Sequence, residues 1–173
     1  MTLFKGRNSI VTSLTLSMTA FAAGCTSLSS AAELTWSVSH ASAQCSISEP
    51  GVQLFDYKQG QQYLNQLQKK QQQRVIGKPK MKHHVAQEQA VLAINMGQRS
   101  SGGYGVIVQK AALSENTLNV HVKWVTPGPD SFTSSALTSP CTVVTIDHPI
   151  SKEESDSIRI KVYDQNNNLV LQS

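Results

Sequence analysis

Long apolar runs are missing from this chain and charge is scarce, with Asp, Glu, Lys and Arg supplying 15% of 173 residues. A bilayer-spanning helix needs roughly 20 mostly apolar residues in a row, so the composition argues against a multi-span membrane protein. General disorder couples low hydrophobicity to high net charge; here 39% of residues are hydrophobic and the formal net charge is +4. Ser, Thr, Gln and Asn fill the place of the charged residues. Lys5 and Arg7 lie in an N-terminal leader, and beyond it the chain holds 13 Lys and Arg against 11 Asp and Glu. An excess of two positive charges is too small to imply nucleic acid as a partner.

Catalytic signatures are missing as well. The five histidines, His40, His83, His84, His121 and His148, follow no motif. Acidic residues show no paired spacing, and the Ser-rich stretches lack the strand-turn-helix context of a nucleophile elbow. The His83–His84 pair has no further ligand at metal-site spacing. A phosphate-cradling GxxxxGK[ST] loop does not occur. The expectation is a non-enzyme with no catalytic residue, metal or cofactor, although spacing alone leaves open a site assembled in three dimensions. His121 falls opposite the apolar set Leu118, Val120 and Val122, which places it on a surface.

Cysteine is present three times, and each copy is informative. Residues 1–24 have a basic start, a moderately apolar stretch from Ile10 to Ala23 and small residues before Cys25, the outline of a signal peptide. Ala22-Ala23-Gly24-Cys25 resembles a bacterial lipoprotein signal, with Ala22 where a larger aliphatic residue is usual. That resemblance implies an acylated Cys25, a membrane anchor and, with Thr26 after the cysteine, an outer-membrane lipoprotein facing the periplasm or the cell surface. Soluble export by cleavage after Ala22 or Ala32 is the alternative. Cys45 and Cys141 remain, an even pair for an oxidising compartment, and a disulfide is the natural reading. Closing about 100 residues, it would stabilise by roughly 4–5 kcal/mol in the chain-entropy picture. Two buried free thiols are the alternative.

Residues 25–33 read as the acylated cysteine and a small-residue tether, 34–84 as N-terminal strands, a helix and a basic loop, and 85–173 as a β domain ending in a hairpin. Alternation predicts strands at Leu34–Ser39 and Val52–Tyr57. Gln59–Arg74, rich in Gln and Lys with Tyr63, Leu64 and Leu67 at helical spacing, predicts one helix. Gly77–His84 is a basic loop, readable as a contact to acidic partners or anionic head groups or as a solvated segment. The continuous apolar run Ala90–Met96 suits a central strand. Tyr104–Gln109, Thr117–Val125, Thr142–Asp147, Ser157–Tyr163 and Leu169–Gln172 are further strands bounded by Gly, Pro, Asn or Ser. The fold class is mainly β: a single antiparallel β-sandwich-like domain of about seven or eight short strands with one helix.

Two loops stand out. Gly97-Gln-Arg-Ser-Ser-Gly-Gly-Tyr104, then Pro127-Gly-Pro129, then Ala136-Leu-Thr-Ser-Pro140, resembles the C-terminal domain of the PrcB family of protease complex subunits, over roughly residues 85–147. The sequence departs at Ser101, where Thr is usual, and at Cys141, where an aromatic is common. The resemblance implies a protein partner, a protease. From the residues alone, Arg99, Ser100, Ser101, Gly102, Gly103, Tyr104, Pro127 and Pro129 either shape the fold or form a shared binding edge. Ser-Ser-Gly-Gly-Tyr is also similar to a loop of chagasin-like cysteine-protease inhibitors, whose other inhibitory loops are absent. The expected function is an envelope-anchored, non-catalytic protein-binding module, an accessory subunit of a protease complex. A chagasin-like inhibitor or a structural envelope lipoprotein is the alternative.

Overall fold

Seven residues in a row, Ala90 to Met96, are buried, because the strand they form is covered on both faces. The computed structural model describes residues 31–72 and 84–173, and its strands are β1 (Ala32–Glu33), β2 (Trp36–Ser42), β3 (Pro50–Phe55), β4 (Ala90–Met96), β5 (Gly105–Ser114), β6 (Thr117–Val125), β7 (Cys141–Ile146), β8 (Arg159–Tyr163) and β9 (Leu169–Gln172). Two helices, α1 (Tyr57–Gln72) and α2 (Lys152–Ser157), interrupt them. The strands make a five-stranded sheet, β1-β5-β6-β8-β9, and a four-stranded sheet, β2-β7-β4-β3. The expected β-sandwich is the observed fold. All pairings are antiparallel except β6 with β8, which the chain reaches by crossing through β7 and α2, the long route a parallel pair requires.

Alternation decides which side chains meet. Leu92, Ile94, Val144 and Ile146 from the four-stranded sheet face Val106, Val108, Leu118, Val120, Val122, Ile160 and Val162 from the other. A second cluster on the far side of the four-stranded sheet joins Val91, Ala93, Val143, Cys45 and Cys141 to Leu64, Leu67 and Val85. The four-stranded sheet is therefore the middle layer between α1 and the five-stranded sheet, and its strands lose polar alternation for that reason. The Thr142 hydroxyl, buried between layers, donates to the Val106 carbonyl and ties the two sheets together.

Helix α1 starts two residues before its expected first position. Asp56 caps it: the carboxylate accepts from the Gln59 amide at 2.8 Å, and the Asp56 carbonyl accepts from the Gly60 amide at 2.8 Å, so the preceding strand ends at Phe55. The helix then lies so close to β4 that a Cβ on Gly60 would stand 2.4 Å from Val91 Cγ2. Sequence-based strand bounds shift elsewhere too. β5 runs on to Ser114 through a bulge between Val108 and Lys110, and Ala32 and Glu33, read above as tether, pair with Leu113 and Ala112. Asp164–Asn168 is the expected hairpin turn: the Asp164 carboxylate accepts from the Asn166 and Asn168 amides at 2.8 Å and from Asn168 Nδ2 at 3.1 Å.

Candidate functional site

Two connections, 97–104 between β4 and β5 and 126–140 between β6 and β7, come together at one end of the sandwich. The first is launched by Gly97, whose φ of +75° lies in the left-handed region. A Cβ there would meet the Pro50 nitrogen at 2.7 Å and the Ser48 carbonyl oxygen at 2.9 Å, so only glycine fits. The Gln98 amide then donates to Ser48 O at 2.8 Å.

Arg99 and Thr138 exchange both backbone hydrogen bonds, at 2.8 and 2.9 Å. The Thr138 hydroxyl donates to Ser101 O at 2.7 Å, and the Gly102 amide donates to Ser134 O at 3.0 Å. Gly103 packs against Pro127 and Thr133, each 3.1 Å from where its Cβ would be. The second connection is fastened in turn to residues 43–46. Ser139 and Cys45 share a backbone bond of 2.9 Å, the Ser46 amide donates to Ser139 Oγ at 2.8 Å, and Gln44 Nε2 donates to Leu137 O at 2.9 Å. Beneath this seam Cys45 and Cys141 form a disulfide with Cα atoms 6.0 Å apart.

The structure thus joins Arg99, Ser101, Gly102, Gly103 and Pro127 into one scaffold, with Ser100 and Pro129 exposed on it. Arg99 does not project. Its guanidinium lies 5.5 Å from the centre of the Tyr104 ring and donates to Met96 O at 2.8 Å, while its buried Nε has no partner. Tyr104 packs against the main core. What projects instead is the segment from Gly128 to Leu137, exposed at every residue. Phe132 at its tip is fully exposed and Leu137 is 62% exposed. A shallow groove of about 230 Å³ runs beside it between Ser46, Ile47, Gln98 and Leu137. Of the residues that close the seam, Thr138 lies in the Ala136–Pro140 motif, whereas Ser134 and Gln44 carry no sequence signal beyond their polarity.

Arg99 and Asp130 are the two ionisable side chains that these connections supply apart from Tyr104. The edge therefore offers apolar surface, hydroxyls and backbone groups rather than an acid and a base. Among the described residues one trio comes within metal-ligand reach, His40 with Cys45 and Cys141, whose donor atoms lie within 4.8 Å of one another. Sulfurs joined in a disulfide are not thiolate donors. His121 stacks on Tyr163 with ring centres 5.3 Å apart, on the outward side of β6. Cys25, the leader and residues 77–83 of the basic loop lie outside the described residues; His84 is exposed.

A two-sheet β domain with a glycine- and proline-shaped loop edge is the class that this architecture defines. Residues 90–147 match the family model described as PrcB C-terminal. The matched segment begins with β4 and ends just past β7, and so contains both loops of the edge. No curated protein and no solved structure gives a significant match.

Proposed function

We propose that this chain is an exported, non-catalytic protein-binding module, an accessory subunit of a protease complex, held at the cell envelope by acylation of Cys25. The observation that carries the binding role is Phe132: a fully exposed aromatic on a connection whose base is fastened by eight backbone and side-chain hydrogen bonds, four of them to the first loop and four to residues 43–46. An apolar side chain left in water on a connection tied down at its base is what a partner's pocket can cover at a reduced backbone-ordering cost. The matching family supports a protease complex as the setting, and the leader and Cys25 support the envelope.

Affinity capture from intact cells tests the binding role. The wild-type chain should recover a protease, and Phe132→Ala should lower recovery by about 30-fold, the loss of a hot-spot aromatic, with thermal unfolding unchanged. Recovery of envelope scaffold proteins alone, or equal recovery by Phe132→Ala, would overturn it. Mass spectrometry of the mature N-terminus tests the anchor separately: an unmodified end after Ala22 or Ala32 removes acylation and leaves the binding role standing.

A further inference from the structure

The outward face of the five-stranded sheet is uncovered by either helix, since α1 packs on β3 and β4 and α2 on β3. On its three central strands, β5, β6 and β8, the outward charged side chains are all cationic. Strand β5 directs Ile107, Lys110 and Ala112 outward, β6 directs Thr117, Asn119, His121 and Lys123, and β8 directs Arg159, Lys161 and Tyr163, while the alternate residues Val120, Val122, Ile160 and Val162 are buried beneath them. Register sets these in rows: Lys110 beside His121 beside Tyr163, Asn119 beside Lys161, Thr117 beside Arg159, and Ile107 beside Lys123. No outward position of β5, β6 or β8 holds an acidic residue. The acids at the margin are Glu33 on β1, 3.8 Å from Lys110 in an exposed ion pair, Glu115 in the β5–β6 turn and Asp164 in the β8–β9 turn.

We infer that this face docks on an anionic phospholipid surface. Lys123, Arg159 and Lys161, with Lys110 beside its Glu33 partner, are spread over this face, and each attracts phosphate head groups electrostatically. Two apolar side chains stand among them, Ile107 at 54% and Leu169 at 48% exposure. The chain's own path supplies the second argument. Ala32, the start of β1, is pinned to the edge of this same sheet, seven positions along the chain from Cys25. Fully extended, these seven steps reach about 25 Å, so an acylated Cys25 would keep the edge of this sheet within that distance of the bilayer. The proximity argument rests on the proposed acylation; the cationic face does not. The two-loop edge, at the end of the sandwich, stays free for a protein partner in that orientation.

Both hydrophobic cores close within the described residues, so the polypeptide from residue 25 onward, carrying Cys25→Ser and therefore unacylated, serves as the test protein. It should float with vesicles of equal parts phosphatidylcholine and phosphatidylglycerol, stay behind with phosphatidylcholine alone, and release at about 0.5 M salt, where screening is nearly complete. Lys123→Gln with Lys161→Gln should weaken vesicle binding roughly 25-fold, about fivefold per cation, with unfolding and Phe132-dependent capture unchanged. The same inference is overturned by equal flotation on both vesicle types, by loss on Lys78→Gln/Lys80→Gln/Lys82→Gln in place of the sheet variant, or by tighter binding to an oligonucleotide than to the anionic vesicles. Because the test protein has no acyl group, its failure is separate from any failure of the anchor.

Discussion

Thr138 spends its backbone on Arg99 and its hydroxyl on Ser101, and the alignment of the two loops depends on that double use. Thr138→Val keeps the shape and the backbone exchange but removes the donor, so it should destabilise by about 1–2 kcal/mol, read as a lower urea midpoint at unchanged m. Ser100→Ala, on the exposed tip, should stay within about 0.5 kcal/mol. Gly97→Ala forces a Cβ into Pro50 and into a left-handed backbone, and about 2–4 kcal/mol should be lost. A cost below about 0.5 kcal/mol for Gly97→Ala would mean that the loop base can move aside. The glycines were legible in the sequence because their freedom serves few other purposes. Arg99 was not: a long cation between polar neighbours reads the same whether it points at solvent or folds over the ring five residues on.

At the scale of elements, the strands were legible where one face or both faces are apolar without interruption, as in β4 and β6. β5 was cut short in the reading because Lys110-Ala-Ala breaks alternation, and the bulge that restores the core-facing order is a property of pairing with β6, not of β5 alone. Helix α2 had a signal that went unused. Ser151 and Glu154 form a reciprocal capping box, the S-x-x-E spacing that marks a helix start. For α1 the start was misplaced by reading Asp56 as a strand residue; Asp56→Ala should cost about 1 kcal/mol and lower far-UV helicity. The β8–β9 turn carries a pH dependence. Hydrogen bonds from the Asn168 side chain and amide, then the Asn166 amide, hold the Asp164 carboxyl below its usual range. A lowered folded pKa means that the turn is supported above pH of about 4 and loses that support as pH falls through the lowered value. The amide proton shifts of Asn166 and Asn168 should titrate with the Asp164 carboxyl as the two hydrogen bonds weaken in acid, and Asp164→Asn should remove that response.

At the scale of the molecule, the two halves of the chain share one frame, and the Cys45–Cys141 bond crosses it at a separation of 96 residues. It joins the segment after β2 to the first residue of β7, two residues after Ser139 and so directly under the loop seam. A cross-link closing that many residues stabilises by about 4–5 kcal/mol through the unfolded chain, and native-state relaxation lowers the measured figure. Domains of this size have about 5–15 kcal/mol in all, so reduction should remove a large part of the margin. The prediction is a lower denaturation midpoint under a dithiol, by about 2–5 kcal/mol, with fluorescence of Trp36 and Trp124 and far-UV circular dichroism changing together. Reduction should also weaken partner capture at temperatures where the chain remains folded, since Ser139 and Gln44 hold the base of the Phe132 loop to the bridged segment. Coincident midpoints with and without the dithiol would show that the packing around Cys45 and Cys141, both buried against Val91, Ala93 and Leu64, holds that seam without the covalent bond.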